Sequence, residues 1–178
     1  MHITAIDHPT RPLLVALPGA YEKARARYET LVPEVDLVRF SKATSWQAVL
    51  DVAQTNAPHG FMRYYRSDIA AAMRGSPSSW KATHYLMGNH TIAERMFRYE
   101  PSVMLHAPLR TLLYVDRDGD TKLAVDQPSR LFASYDNPQI GEVGCELDVL
   151  LAQLVMLLGG EVPPQLLRGA VQKEAYVA

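Results

Sequence analysis

Residues 85–129 read YLMGNHTIAERMFRYEPSVMLHAPLRTLLYVDRDGDTKLAVDQPS, and their turn and cap chemistry decides the fold. A strand over Lys81–Met87 exits into Gly88-Asn89-His90. Thr91 and Glu94 then stand at the Thr-x-x-Glu spacing of a capping box, so Ile92–Tyr99 is predicted helical until Pro101. Leu109–Val115 and Lys122–Asp126 flank Asp118-Gly119, the dipeptide that favours the twist of a tight hairpin. A strand, a turn, a short helix and a hairpin in one run imply a sheet with helices laid against it.

Downstream, Asn137-Pro138 pairs an N-cap residue with a proline at the first helical position. A helix over Pro138–Leu158 follows, with Ile140, Val143, Leu147, Leu150, Leu151, Leu154 and Leu158 on one face, and Gly159-Gly160 ends it. A last helical turn is expected over Gln165–Val171. Upstream, Leu13–Leu17 reads as a buried strand, Ala20–Leu31 as a helix stopped by Pro33, and Val35–Phe40 as a strand. Thr44 and Gln47 suggest a capping box for a helix over Ser45–Thr55 that buries Trp46, Val49, Leu50 and Ala53. Phe61–Tyr65 reads as a strand, with Ser67 capping a short helix over Asp68–Arg74. The fold class expected is α+β: a mixed or antiparallel sheet of about five strands, with helices packed mainly on one face in two layers.

The 178 residues carry a net charge of −1 with 48% hydrophobic content, which suits a globular chain and lacks the basic excess of a nucleic-acid binder. Cys145 is the sole cysteine, so neither an internal disulfide nor a cysteine-rich metal cluster can form. The start of the chain has no apolar leader and no run is long enough to span a bilayer, so the expectation is cytoplasmic, with no membrane partner. Walker, Gly-x-Gly-x-x-Gly and Gly-x-Ser-x-Gly motifs are absent, which argues against nucleotide hydrolysis, dinucleotide redox chemistry and α/β-hydrolase chemistry.

The leading candidate site is Gly88-Asn89-His90-Thr91. A helix beginning at Thr91 would leave backbone donors and the positive end of its dipole at an exposed turn, able to hold an anion. Arg95 and Arg110 are the candidate counter-charges, and Tyr64 and Tyr85 the candidate ring or hydroxyl contacts. The plainer reading makes Gly88 a residue of unusual backbone angle, Asn89 a local turn partner and His90 an exposed side chain. His90 and His106 are the candidate acid–base residues, since histidine titrates near neutrality. His84, His90 and His106 lack metal-ligand spacing, so no metal and no cofactor is assigned; haem ligation by one of them, or by Tyr85, Met87 or Met104, is the remaining cofactor option. Asp116–Asp120 looks like a calcium loop but has Gln127 where the bidentate glutamate belongs, so it reads as hairpin turn. Cys145 reads as a packed thiol.

With Leu86-Met87-Gly88-Asn89-His90, the Ala107-Pro108-Leu109-Arg110 strand entry, the Tyr114–Gly119 hairpin and the helix after Gln127-Pro128-Ser129 in place, the chain resembles the bacterial domain of unknown function family 302 from about Val35 to Leu158. It departs from the family pattern by carrying His90 where proline usually follows Gly-Asn. The resemblance implies a small α+β layer and a homodimer, but no common activity. On this reading residues 1–33 are an N-terminal extension of strand plus helix, 34–160 the family-like domain and 161–178 a tail. Three functions stay open: a protein binding a small anionic or aromatic metabolite near Gly88–Thr91, an enzyme of uncharted type using histidine acid–base chemistry, and a dimeric interaction, metal- or haem-binding module. Whether the chain is an enzyme at all is left undecided.

Overall fold

Alternating burial along the strands builds the architecture. The computed structural model describes residues 5–167. Its five strands are β1 (Pro12–Leu17), β2 (Met62–Asp68), β3 (Ala82–Gly88), β4 (Leu109–Val115) and β5 (Thr121–Asp126). They form one sheet in the order β1-β5-β4-β3-β2, every neighbouring pair antiparallel. Leu13, Val15 and Leu17 of β1 share a face with Leu123 and Val125, with Leu109 and Leu113, and with Tyr85 and Met87, all of them buried. The opposite face is half covered and apolar in part, with Leu14 63% exposed.

Two helices cover the buried face: α1 (Tyr21–Leu31) and the long C-terminal helix Pro138–Leu158. The latter begins where the side chain of Asn137 accepts from the Gln139 and Ile140 backbone N–H groups, and ends at Gly159, whose φ of +84° suits glycine. Ile140, Val143, Leu147, Leu151, Leu154 and Leu158 are buried in the main core, each contributing about 1.5–3 kcal/mol of apolar burial, and Leu150 packs at its margin. From α1, Tyr21 and Tyr28 reach down to the sheet, where their hydroxyls bond Thr83 and Thr111, so these buried polar atoms are paired with each other. No helix among the described residues is long and apolar enough to cross a membrane.

Several local expectations are corrected. Val35–Phe40 is not a strand: the Asp36 side chain accepts from the Arg39 N–H and caps α2 (Leu37–Ser41) instead. The contact with the sheet is a single parallel bridge of Glu34 to Arg63, in which Arg63 N–H donates to the Pro33 carbonyl and Val35 N–H to the Arg63 carbonyl, and the fifth strand is β1 rather than this segment. Within residues 1–33, read as an extension of strand plus helix, β1 joins the sheet and α1 packs on the core. Ser45, not Thr44, caps α3 (Trp46–Asn56), and of the apolar residues assigned to its buried face only Ala53 is buried, Trp46 being exposed. Likewise Asp68, not Ser67, caps α4 (Ile69–Ala72). Of the terminal turn expected over Gln165–Val171, residues 164–167 are helical and the rest lies outside the described residues. The hairpin is as expected, with Asp116 accepting from the Asp118 and Asp120 N–H groups inside its loop.

A smaller cluster sits at the start of β2. There α2 and α3 bring Ala53, Ala57 and Met62 together with Val35, Phe40 and Tyr64. This second cluster is what places a wall beside the turn after β3.

Candidate functional site

The site is built by two irregularities of β2 and β3. The pairing of Arg63 with Met87 gives way to Tyr65 with Leu86, so Tyr64 is the extra residue of a β-bulge. A bulge re-aims a side chain that a regular strand would commit to one face. Tyr64 is thereby turned to the end of β3, while Tyr65 lies on the other side beside His84, ring centroids 6.3 Å apart. Gly88 ends β3 with an ordinary φ, and what requires glycine there is proximity. A Cβ would stand 3.2 Å from Pro108 Cβ and 3.3 Å from its Cα. The Gly-Asn turn and the Ala-Pro-Leu-Arg entry are thus packed against each other, and the unusual backbone angle expected of Gly88 is not the reason for it.

The helix that follows is α5 (His90–Phe97), and its cap is Asn89 rather than Thr91. The Asn89 carboxamide oxygen accepts from both the Thr91 N–H and the Thr91 hydroxyl. The His90 N–H goes to the Tyr64 hydroxyl at 3.0 Å, and the Ile92 and Ala93 N–H groups go to the Asn89 carbonyl. The first donors of the helix, the N–H groups of His90 to Ala93, are therefore all taken. Arg95, expected as counter-charge, is held by both carboxylate oxygens of Glu146 at 2.8 and 3.0 Å. Thr91 and Arg95 are part of this local bonding and do not line the cavity described next.

That cavity, of about 210 Å³, opens beneath the turn. Tyr64, Gly88, Asn89 and His90 form one side of it. Met96, Met104, Pro108, Leu109, Phe132 and Leu147 form the apolar remainder with Ile92, Ala93 and Ala107, and no charged residue lines it. It lies below the roughly 300–1,000 Å³ typical of drug-sized sites. Nothing as large as a haem fits.

His90 is half-buried rather than an exposed turn residue. Its Nδ1 lies 2.7 Å from the Tyr64 hydroxyl, and Phe40 meets its ring edge-on with centroids 4.4 Å apart. Burial pushes its pKa below the usual histidine value and pushes the Tyr64 hydroxyl above the usual phenol value, so both are neutral near neutral pH.

The remaining candidates are elsewhere. Tyr85 is fully buried under α1, its ring tilted against that of Tyr28 with centroids 4.6 Å apart, and its hydroxyl donates to Glu29. Arg110 is exposed on the opposite face of β4, in a crevice of about 10 Å³ that it shares with His106 and Asp126. His106 packs against His8 at 4.8 Å and Tyr135 at 6.1 Å, and its buried Nε2 has no partner among the described residues. His90 and His106 accordingly belong to separate pockets, and His84 to a third place. Among the described residues no three His, Cys, Asp or Glu side chains converge as a metal site would require. Cys145 is half-buried on the long helix, its thiol pushed up by burial and by the neighbouring Asp148.

The sequence reading missed the apolar wall and one buried polar cluster. Ile92, Ala93 and Met96 had helical spacing, which signals burial but not a cavity beside it. Asp148 is fully buried, its carboxylate accepting from the Ser129 N–H and hydroxyl and from the Gln127 amide. A lone acid inside an apolar helix face was the available signal.

Comparison with known proteins places this geometry. The family model described as Domain of unknown function DUF302 matches residues 39–158, most of the chain. Among solved structures, a crystal structure of an uncharacterized conserved protein DUF302 from Bacillus stearothermophilus is similar, with TM-score 0.61 at 15% identity, over 83% of this chain and 97% of that one. At that identity the likeness is one of fold. No curated protein matches.

Proposed function

The chain belongs to the DUF302 family, and from its site we propose that it binds a small, largely apolar metabolite in the cavity under Gly88–Ala93. The observation that carries this is a lined cavity meeting the Tyr64–His90 pair at the mouth of a capped helix. A concave apolar wall with a few convergent polar groups is the usual form of a ligand site. Of the two ligand types expected, the anionic one lacks support: the helix donors are used internally, Arg95 is paired and no cation lines the wall. The aromatic one is favoured by the lining, in which two methionines give an adaptable surface.

Met104 tests this reading because it lines the cavity while remaining 44% exposed, so a larger side chain there narrows the site without entering the core. A compound that raises the melting temperature of the wild type is expected to lose that effect on Met104→Trp. At a hundred-fold excess over Kd the shift corresponds to about 2.7 kcal/mol, well within reach of calorimetry. Compounds that stabilise both proteins equally bind elsewhere, and that result refutes the site.

A second reading has its own observation. The Tyr64 hydroxyl fixes one ring nitrogen of His90, the arrangement by which a neighbour orients an acid–base histidine. An enzyme using His90 would show a pH profile that His90→Gln abolishes; His106, being outside the cavity, would have no effect on it.

The homodimer stays a proposal, but on a new surface. The stripe Leu147–Leu158 that suggested it is spent largely on the core, whereas Leu14, Leu112 and Tyr114 project from the sheet face opposite that core. A second copy on that face predicts that Leu14→Glu converts a two-fold particle to a monomer in light scattering.

A further inference from the structure

We propose, building on the cavity reading above, that the ligand is an uncharged single-ring compound whose hydrogen-bond acceptor is taken by the Nε2–H of His90. Three observations set the class: the volume, the absence of charge and the way Tyr64 is bonded.

Volume comes first. An apolar cavity of about 150 Å³ accepts benzene. The cavity here, about 210 Å³, has room for one ring with a small substituent and not for two fused rings bearing side chains. Its walls bring Phe132, Leu109, Leu147 and both methionines around that space, all apolar. A charged group entering it would lose its hydration with no opposite charge to meet.

The polar side is then assigned atom by atom. The Tyr64 oxygen accepts from the His90 backbone N–H at 3.0 Å and also lies 2.7 Å from Nδ1 of the same residue. A phenol oxygen has one proton to give. If Nδ1 were also a donor, the oxygen would receive two N–H groups and its own proton would point into an apolar wall. The hydroxyl therefore donates to Nδ1, and the ring proton resides on Nε2. Asn89 uses its oxygen on Thr91 and one of its two amide protons on the Gly60 carbonyl. Nε2–H of His90 has no partner among the described residues, and it is the donor assigned to the ligand. A matching ligand presents an acceptor such as a carbonyl oxygen, and Tyr64 acts as a positioning residue that sets the tautomer.

The test uses the full protein with methyl-labelled methionine and three probes of one size: acetophenone, ethylbenzene and benzoate. Met96 and Met104 line the cavity and report binding, while Met73 and Met156 are exposed elsewhere and act as controls. Acetophenone and ethylbenzene are expected to shift Met96 and Met104 only, acetophenone binding about five-fold tighter for one net hydrogen bond. Benzoate is expected to leave all four signals in place. His90→Leu should bring acetophenone down to the affinity of ethylbenzene. Tyr64→Phe, which preserves the ring, should erase most of the same difference while ethylbenzene binding persists. Equal binding of acetophenone and ethylbenzene, or tighter binding of benzoate, overturns the ligand class and leaves the cavity reading standing. Silence of Met96 and Met104 with all three probes overturns both.

Discussion

Two polar clusters of this protein are built in opposite ways. Around Asp148 every oxygen is occupied: Ser129 N–H and hydroxyl and the Gln127 amide converge on a carboxylate with no exposed surface, and Gln127 in turn ties to Arg11 and to the Gln165 carbonyl. Around His90 the ring Nε2 has no partner among the described residues, and His90 is one of the residues that line the cavity. The first arrangement joins β5, the short helix Pro128–Phe132, the long helix and the C-terminal turn, so it has the form of a structural clasp. The second is half-buried and incomplete, the form expected where a further molecule completes the bonding. Saturation separates scaffold from site here better than residue type does.

The strongest way to break that contrast is Asp148→Ala. It strands buried donors on Ser129 and Gln127, and we expect a loss of about 3 kcal/mol in urea unfolding, with ligand binding by the remaining folded molecules unchanged. A loss under about 1 kcal/mol would mean that the clasp is dispensable. Next in size is Gly88→Ala, where the new methyl must displace Pro108 from the cavity wall. About 2 kcal/mol of destabilisation is expected from overpacking, together with weaker binding, since Pro108 lines the site. Tyr64→Phe follows, at about 1 kcal/mol in thermal unfolding, because it leaves the His90 N–H and Nδ1 without their shared partner. His90→Ala should cost a similar amount, contrary to what an exposed turn residue would give.

The smallest effect sharpens the contrast by its sign. The folded-state pKa of His90 is depressed by burial, so its contribution is complete above the unfolded value near 6.5 and is lost as pH falls through the folded value. Asp148 runs the other way: burial raises its pKa, so its titration penalises the fold as pH rises through the raised value. Wild type minus His90→Gln, measured by denaturant unfolding from pH 7 downward, should show a shallow loss beginning near pH 6.5. A flat difference would show that His90 titrates no differently in the folded chain.

What the sequence disclosed follows from how local each determinant is. Asn137-Pro138 and Gly159 bound the long helix because a cap acts on the next two residues, and the hairpin around Asp118-Gly119 is legible for the same reason. Val35–Phe40 misled because Val-Asp-Leu-Val-Arg-Phe carries the β-branched and aromatic residues of a strand while Asp36 serves as an N-cap, and Leu37 and Val38 stay exposed on the resulting turn of helix. At the site, the Gly88–His90 turn and Tyr64 were legible as residue types in a plausible place. The function of each atom was not. Gly88 answers to Pro108, twenty positions away, and moving the cap from Thr91 to Asn89 turns a supposed anion cradle into a closed set of bonds.

The β-bulge has a consequence for how such a site can arise. Arg63 pairs with Met87 and Tyr65 with Leu86, so the ladder already closes without Tyr64. Excising that one residue would leave Arg63 and Tyr65 adjacent, their partners unchanged and the strand regular. The tyrosine that orients His90 is in this sense supernumerary. A single-codon insertion or deletion is enough to supply or remove it in a lineage, and gaps at this position, more than substitutions, are what should distinguish relatives that keep the polar half of the pocket from those that keep only the sheet.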